Sequence, residues 1–277
     1  AAGDLDRVRR EHGNGAIYGG SYGWASAGRV HHAQSQIHRF LNCIGGYVRS
    51  VQNYSYAAAD IILPHVIGDT RGVASRHTAW PVIAAHTKLL VLFGGLPRKN
   101  SQVSSGGISR HILREGLTAA RANGAEIVSI SPIRDDTQGE PEAEWLAIRP
   151  GADVAMMLGI AHTLLVDKLV DRGFLDRATT GFDRFEAYLD GRADGTPKTA
   201  EWAAGLCDID AGTIRDLARR MAATRTMIMM SWSLQRAEHG EQPYWMAITL
   251  AAMLGQIGLP GGGFGFGYGS VNGIGNT

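Results

Sequence analysis

The sequence predicts an α/β protein: doubly wound, mostly parallel sheets of the Rossmann kind, in two adjoining units. Leu89 to Phe93 is an unbroken apolar run of strand length that ends in Gly94-Gly95, as strands covered on both faces do. A helical stretch follows, Ile108 to Ala122, stopped by Asn123-Gly124, and then a second strand, Glu126 to Ile130. Further strand and helix signals follow, the pattern of a parallel sheet with right-handed crossovers.

Residues 1–14 read as a short amphipathic helix, and Ala16 to Gly20 as a strand. Val30 to Asn42 is helical, because Ile37, Phe40 and Leu41 recur at helical spacing. After Gly45-Gly46, Tyr47 to Val51 has the composition of a strand. Tyr56 to Val66 is a helix, 69–77 a polar loop, and Thr78 to His86 another helix. Beyond the central strands, Glu144 to Ile148 is a short strand. Asp153 opens a helix that runs to about Val166, with Asp153 itself suited to capping it. Lys198 to Leu206 and Ala211 to Ala223 are helices, Met227 to Trp232 is a buried strand, and Pro243 to Leu254 is a helix stopped by Gly255. Gly261 to Gly269 reads as a glycine–aromatic loop. The natural division is residues 1–87 and 88–277.

Composition narrows the function. The formal net charge is +1, with no basic stripe, so nucleic acid is not an expected partner. No apolar run reaches the ~18 residues of a membrane span. Asp4 to His12 is charged rather than a secretory signal, and the start reads as internal to a longer chain. The two cysteines, Cys43 and Cys207, form no CxxC pair, which excludes an iron–sulfur or zinc-ribbon pattern. His31 and His38 share a helix face, but two turns hold them ~10 Å apart, too far for one zinc ion.

Ligands of open α/β sheets lie beyond the carboxyl ends of the strands. After Phe93 come Arg98, Lys99 and Asn100, then Ser104 to Gly107 before a helix, which suits phosphate oxygens or a plain solvated loop. The spacing matches neither a Walker A loop nor G-x-G-x-x-G. Ser131, Pro132 and Arg134 follow the second strand, and Gly151 and Asp153 the third. Trp232, Ser233, Gln235 and Arg236 stand in a run too rich in polar donors for an ordinary turn. Upstream, Ser21-Tyr22-Gly23-Trp24 places two aromatics beside a glycine turn, and Asn53-Tyr54-Ser55-Tyr56 precedes a helix. Ser55 suits either an N-cap or a hydroxyl held towards a ligand.

The segments SYGW, HAQSQIHRFLNCIGGYVRS and NYSYAAADIILPHVIG, in that order, resemble the molybdenum reductases of dimethyl sulfoxide, trimethylamine N-oxide and biotin sulfoxide, with wording nearest the biotin sulfoxide enzymes. The likeness runs to the last residues, although the family's chains are much longer. It implies molybdenum held by bis(molybdopterin guanine dinucleotide), with the Ser55 oxygen as a metal ligand. A hard alkoxide suits a high-valent metal. It further implies Tyr22 and Trp24 over the metal, and Arg236 reaching towards the active site. Cofactor contacts would come from Trp24, Lys99, Asn100, Ser131, Pro132, Arg134, Gly151, Asp153, Trp232, Ser233, Gln235 and Arg236. Family members often carry Asp where this chain has Ser131, whose hydroxyl accepts a hydrogen bond without the charge. Asp153 stands where the family places a carboxylate on the guanine edge.

The reaction implied is transfer of an oxygen atom from a small S-oxide or N-oxide to the metal, with reduction to water by two electrons from a reductase or cytochrome. The compartment implied is the cytoplasm, with the periplasm as the alternative. The competing reading is a non-catalytic fragment that binds only part of the guanine-dinucleotide cofactor.

Overall fold

The computed structural model describes residues 1–276 except 27, 29, 70, 71, 74, 75, 105–109 and 138–142. Its centre is a five-stranded sheet, all parallel, in the order β3-β2-β1-β4-β5. The strands are β1 (Leu89–Phe93), β2 (Glu126–Ile130), β3 (Glu144–Leu146), β4 (Thr226–Met230) and β5 (Gly263–Phe266). The helices are α1 (Ala2–His12), α2 (Ala33–Cys43), α3 (Ala57–Val66), α4 (Trp80–His86), α5 (Leu113–Ala122), α6 (Asp153–Val166), α7 (Arg172–Ala178), α8 (Phe182–Leu189), α9 (Ala200–Cys207), α10 (Ala211–Ala223) and α11 (Gln242–Met253).

Both faces of the sheet are covered, and the period of two along each strand says by what. Leu89, Val91 and Phe93 face a core with Ile228 and Met230, built from α3, α6, α9, α10 and α11. Leu90, Leu92, Met227 and Met229 face the opposite core, with Trp80 and Ile83 of α4 and Leu113 and Leu117 of α5. Every residue of β1 is buried. At roughly 1.5–3 kcal/mol for each large apolar side chain, burial anchors this strand firmly in the centre of the sheet.

Several expectations change. Ala16–Gly20 and Tyr47–Val51 form no strands; they meet in one isolated parallel bridge, Tyr18 to Val48. A pair with no third strand beside it is marginal in water. The predicted loop at Gly261–Gly269 contains β5. Its glycines hide the strand signal, but at Gly265 a Cβ would stand 3.0 Å from the Tyr268 ring, so the sheet edge needs the small residue there. α5 begins at Leu113, with Ile112 at its N-cap position. The predicted residues 108 and 109 of that helix, and parts of the 69–77 loop, lie outside the described residues. α7 and α8 were not predicted. Asp171 starts the first of them, its carboxylate accepting the Phe174 N–H at 2.8 Å.

Candidate active site

The carboxyl ends of the strands converge, as a doubly wound sheet requires. Gly94 and Gly95 turn β1 with φ of 83° and 69°. A Cβ on Gly94 would lie 2.6 Å from that of Ser231, and one on Gly95 2.5 Å from that of Asp136. The two glycines therefore let the loops after β2 and β4 close on the end of β1. Lys99 and Asn100 lie exposed beyond this turn. The helix expected directly after the serine–glycine run starts only at Leu113, and Ser105 to Gly107 lie outside the described residues.

After β2, Ser131 is fully buried and its hydroxyl is committed. It donates to Asp136 Oδ2 at 2.7 Å and accepts the Ile133 N–H at 3.2 Å. Pro132 and Arg134 are exposed, and the Arg134 guanidinium lies 5.8 Å over the Trp145 ring. After β3, Gly151 takes φ 79° and leads into α6. Asp153 does not cap that helix as predicted. Ala152 holds the N-cap position and Asp153 is the first helical residue, with only 6% of its surface exposed. Burial pushes its carboxyl up to about 6, against a smaller pull from its own backbone N–H.

After β4 the chain forms a short 3-10 turn, Trp232–Gln235. Ser231 Oγ accepts the Ser233 N–H at 3.4 Å and lies 3.0 Å from Ser233 Oγ, while Trp232 N–H donates to Ser270 Oγ at 3.1 Å. The Trp232 Nε1–H is buried with no partner among the described residues. Arg236 is exposed, and its side chain makes no hydrogen bond or ion pair among the described residues.

The Asn53–Tyr56 segment packs against this turn. Tyr56 stacks at a tilt on Trp232, centroids 4.6 Å apart, and meets Phe266 edge-on at 5.8 Å. Ser55 is not the cap of α3. Asn53 Oδ1 accepts the N–H groups of both Ser55 and Tyr56, at 2.9 and 2.7 Å, and Asn53 Nδ2 donates to Asp60 Oδ2 at 3.0 Å. The Ser55 hydroxyl is left half-buried and without a hydrogen bond among the described residues. Tyr22 joins the same loop: its ring stacks on Tyr54 at 5.7 Å, and its hydroxyl accepts the Tyr54 N–H at 3.4 Å. Tyr22 and Trp24 are 54% and 37% exposed, too open to be core aromatics.

A free serine hydroxyl, an unspent arginine, a buried donor and a protonatable carboxylate thus stand along one edge of one sheet. The matching of the whole chain to a family model decides what kind of protein carries them: residues 1–276 match the model for molybdopterin oxidoreductases. The chain belongs to the molybdopterin oxidoreductase family.

Similarity to individual family members is extensive. The chain is 48% identical over 270 residues to the dimethyl sulfoxide/trimethylamine N-oxide reductase of Cereibacter sphaeroides, covering 98% of this chain and 33% of that one. It is 46% identical over 274 residues to the biotin sulfoxide reductase of the same organism, covering 99% and 37%. It is 44% identical to the trimethylamine-N-oxide reductase of Haemophilus influenzae, covering 97% and 32%. The chain therefore spans about a third of the length of these relatives. Among solved structures, acetylene hydratase from Pelobacter acetylenicus has the same fold over 93% of this chain and 32% of its own, with a TM-score of 0.56 at 20% identity.

Membership makes a molybdenum–pterin cofactor the group to fit, and the residues suit it. Among the described residues, the serine hydroxyl is unspent, the Trp232 donor lacks a partner, and no cation pairs with the buried Asp153. No cluster of three His, Cys, Asp or Glu among the described residues offers a metal an alternative place. The Gln235 contacts described below are what sequence reasoning missed, because their partners are remote in the chain.

Proposed function

We propose that this chain is the part of a molybdenum S-oxide or N-oxide reductase that holds the metal through Ser55. The observation carrying the reading is the Ser55 hydroxyl, unspent in a loop whose neighbouring backbone is fixed by Asn53. When bound, the molybdenum bis(molybdopterin guanine dinucleotide) supplies the two-electron oxygen-transfer chemistry. The protein supplies a ligand, a pocket and placed donors. Tyr22 accepts the Tyr54 N–H, which leaves its own proton to donate to the oxygen of the oxide, where charge builds during transfer. Trp24 walls the pocket, and Arg236 brings a permanent positive charge to its mouth.

Asp153 would accept the N–H groups of a guanine edge, which favours its charged form and draws its pKa back down. The Gly94-Gly95 turn and the Trp232–Ser233 turn would cradle the nucleotide, with Lys99, Asn100, Pro132, Arg134 and Gly151 around it. Ser131, already bonded on both sides, would shape its loop. The electron donor is a reductase or cytochrome, and the compartment is the cytoplasm.

The test is analysis of the purified protein for molybdenum and guanine nucleotide, together with Ser55→Ala. About one molybdenum and two guanine nucleotides are expected per protein. Ser55→Ala should abolish oxide reduction while changing stability by less than about 0.5 kcal/mol, since the hydroxyl has no hydrogen bond among the described residues. Full activity in that variant would remove the ligand assignment. Guanine nucleotide without molybdenum would favour the partial cofactor-binding fragment.

A further inference from the structure

The family resemblance assigns Gln235 to the cofactor, but its carboxamide is engaged elsewhere. Gln235 Oε1 accepts the Ala58 N–H at 2.8 Å, and Nε2 donates to the Tyr54 carbonyl at 2.9 Å. Ser55 lies between these two points. The glutamine reaches them from a base that cannot shift easily. Ser231 N–H bonds the Phe93 carbonyl at 2.9 Å, which ties the start of the turn to the end of β1. Tyr244 O–H donates to the Trp232 carbonyl at 3.1 Å. Gly240 packs so closely on the Gln235 carbonyl that an added Cβ would lie 2.0 Å from its oxygen. Asn53 fixes the spacing of Ser55 and Tyr56 within their own loop, while Gln235 ties that loop to the turn after β4 by hydrogen bonds, beside the ring contacts of Tyr56 with Trp232 and Phe266.

We infer that Gln235 is a positioning residue for Ser55: its carboxamide clasps the backbone on both sides of the serine and sets where the serine oxygen stands relative to the strand ends. The inference rests on the reading of Ser55 as the metal ligand. Only an amide satisfies both sides, because it carries an acceptor for Ala58 N–H and a donor for the Tyr54 carbonyl on one planar group. Leucine offers neither. Glutamate keeps the acceptor but sets a carboxylate against a carbonyl oxygen.

The test uses the full-length, cofactor-loaded enzyme in four forms: parent, Gln235→Leu, Gln235→Glu and Ser55→Ala. The readouts are hydrogen exchange at the Ala58 amide, the molybdenum X-ray absorption spectrum, and kcat and KM. Gln235→Leu should exchange at Ala58 about tenfold faster, the worth of one ordinary hydrogen bond. Its metal–oxygen distances should broaden, and kcat should fall with KM kept. Gln235→Glu should keep slow exchange at Ala58 yet lose kcat. Parent-like exchange in Gln235→Leu, or a parent-like spectrum and kcat there, overturns the clasp. Should Gln235→Leu not fold, a parent-like kcat in Gln235→Glu overturns it instead. A parent-like spectrum in Ser55→Ala overturns the ligand reading alone, and the exchange comparison then still decides whether the clasp exists.

Discussion

Asp153 links the site to the solution. Its carboxyl titrates near 6 in the fold because burial disfavours the charged form. The folded pKa is raised, so between about pH 4 and 6 the unfolded chain ionises first and the native state keeps its proton. Stability therefore falls as pH rises through that window, by up to about 3 kcal/mol, and stays at the lower level above it. Asp153→Asn should remove this slope, and the cofactor-free protein should become more stable at pH 7. Denaturant unfolding at a series of pH values checks both. Residue by residue, what the sequence allowed was uneven. Asp153 was legible from the turn before it, though not its place inside the helix. Ser55 was legible as a candidate, but its freedom from capping depends on Asn53, whose side chain could equally have faced water. Gln235 was legible as unusual and not as a clasp, since nothing local relates it to Tyr54.

At the scale of elements, β1 and β2 were legible because buried parallel strands are continuously apolar. α6 and α10 lie where the sequence put them, although the cap position expected of Asp153 belongs to Ala152. β5 was not legible, because its alternate glycines remove the side chains that mark a strand: Gly265 makes room for the Tyr268 ring, and Gly263 for the Gln256 and Ile257 backbone. The bridge between Tyr18 and Val48 fell short of a strand pair for want of neighbours. The turn after β1 gives the sharpest test. Gly95 combines φ 69° with an Asp136 carbonyl oxygen 2.7 Å from any added Cβ. Gly95→Ala should cost more than about 2 kcal/mol, from strain and displaced backbone together. Cofactor occupancy should fall with it, measured as guanine nucleotide released per protein.

Over the whole molecule, the two edges of the sheet have separate work. Opposite the candidate site, the Arg220 guanidinium on α10 reaches Glu126 at the start of β2 at 2.8 Å and Glu144 at the start of β3 at 2.7 Å. Gln256 joins the same edge through the Thr226 N–H, 2.7 Å from its Oε1. Arg220→Met should lower stability by about 1 kcal/mol at low salt, less at high salt, and leave molybdenum content and kcat unchanged. A loss of metal in that variant would mean that the two edges are not independent. The all-parallel order and its covered faces were foreseeable from alternation alone. The rule for strand ends chose the edge on which the candidate site was sought, and the chemistry proposed for it needed the family.

The clasp also imposes an order on the birth of the protein. Gln235 lies 177 residues after Ala58 and 181 after Tyr54, so the serine loop is synthesised long before the residue that fixes it. Contacts of such separation close late. During translation Ser55 waits on an unanchored loop until β4 and its turn have left the ribosome and joined β1. On the proposed reading of Ser55, a nascent chain that ends before Gln235 would lack the clasp on its candidate metal ligand.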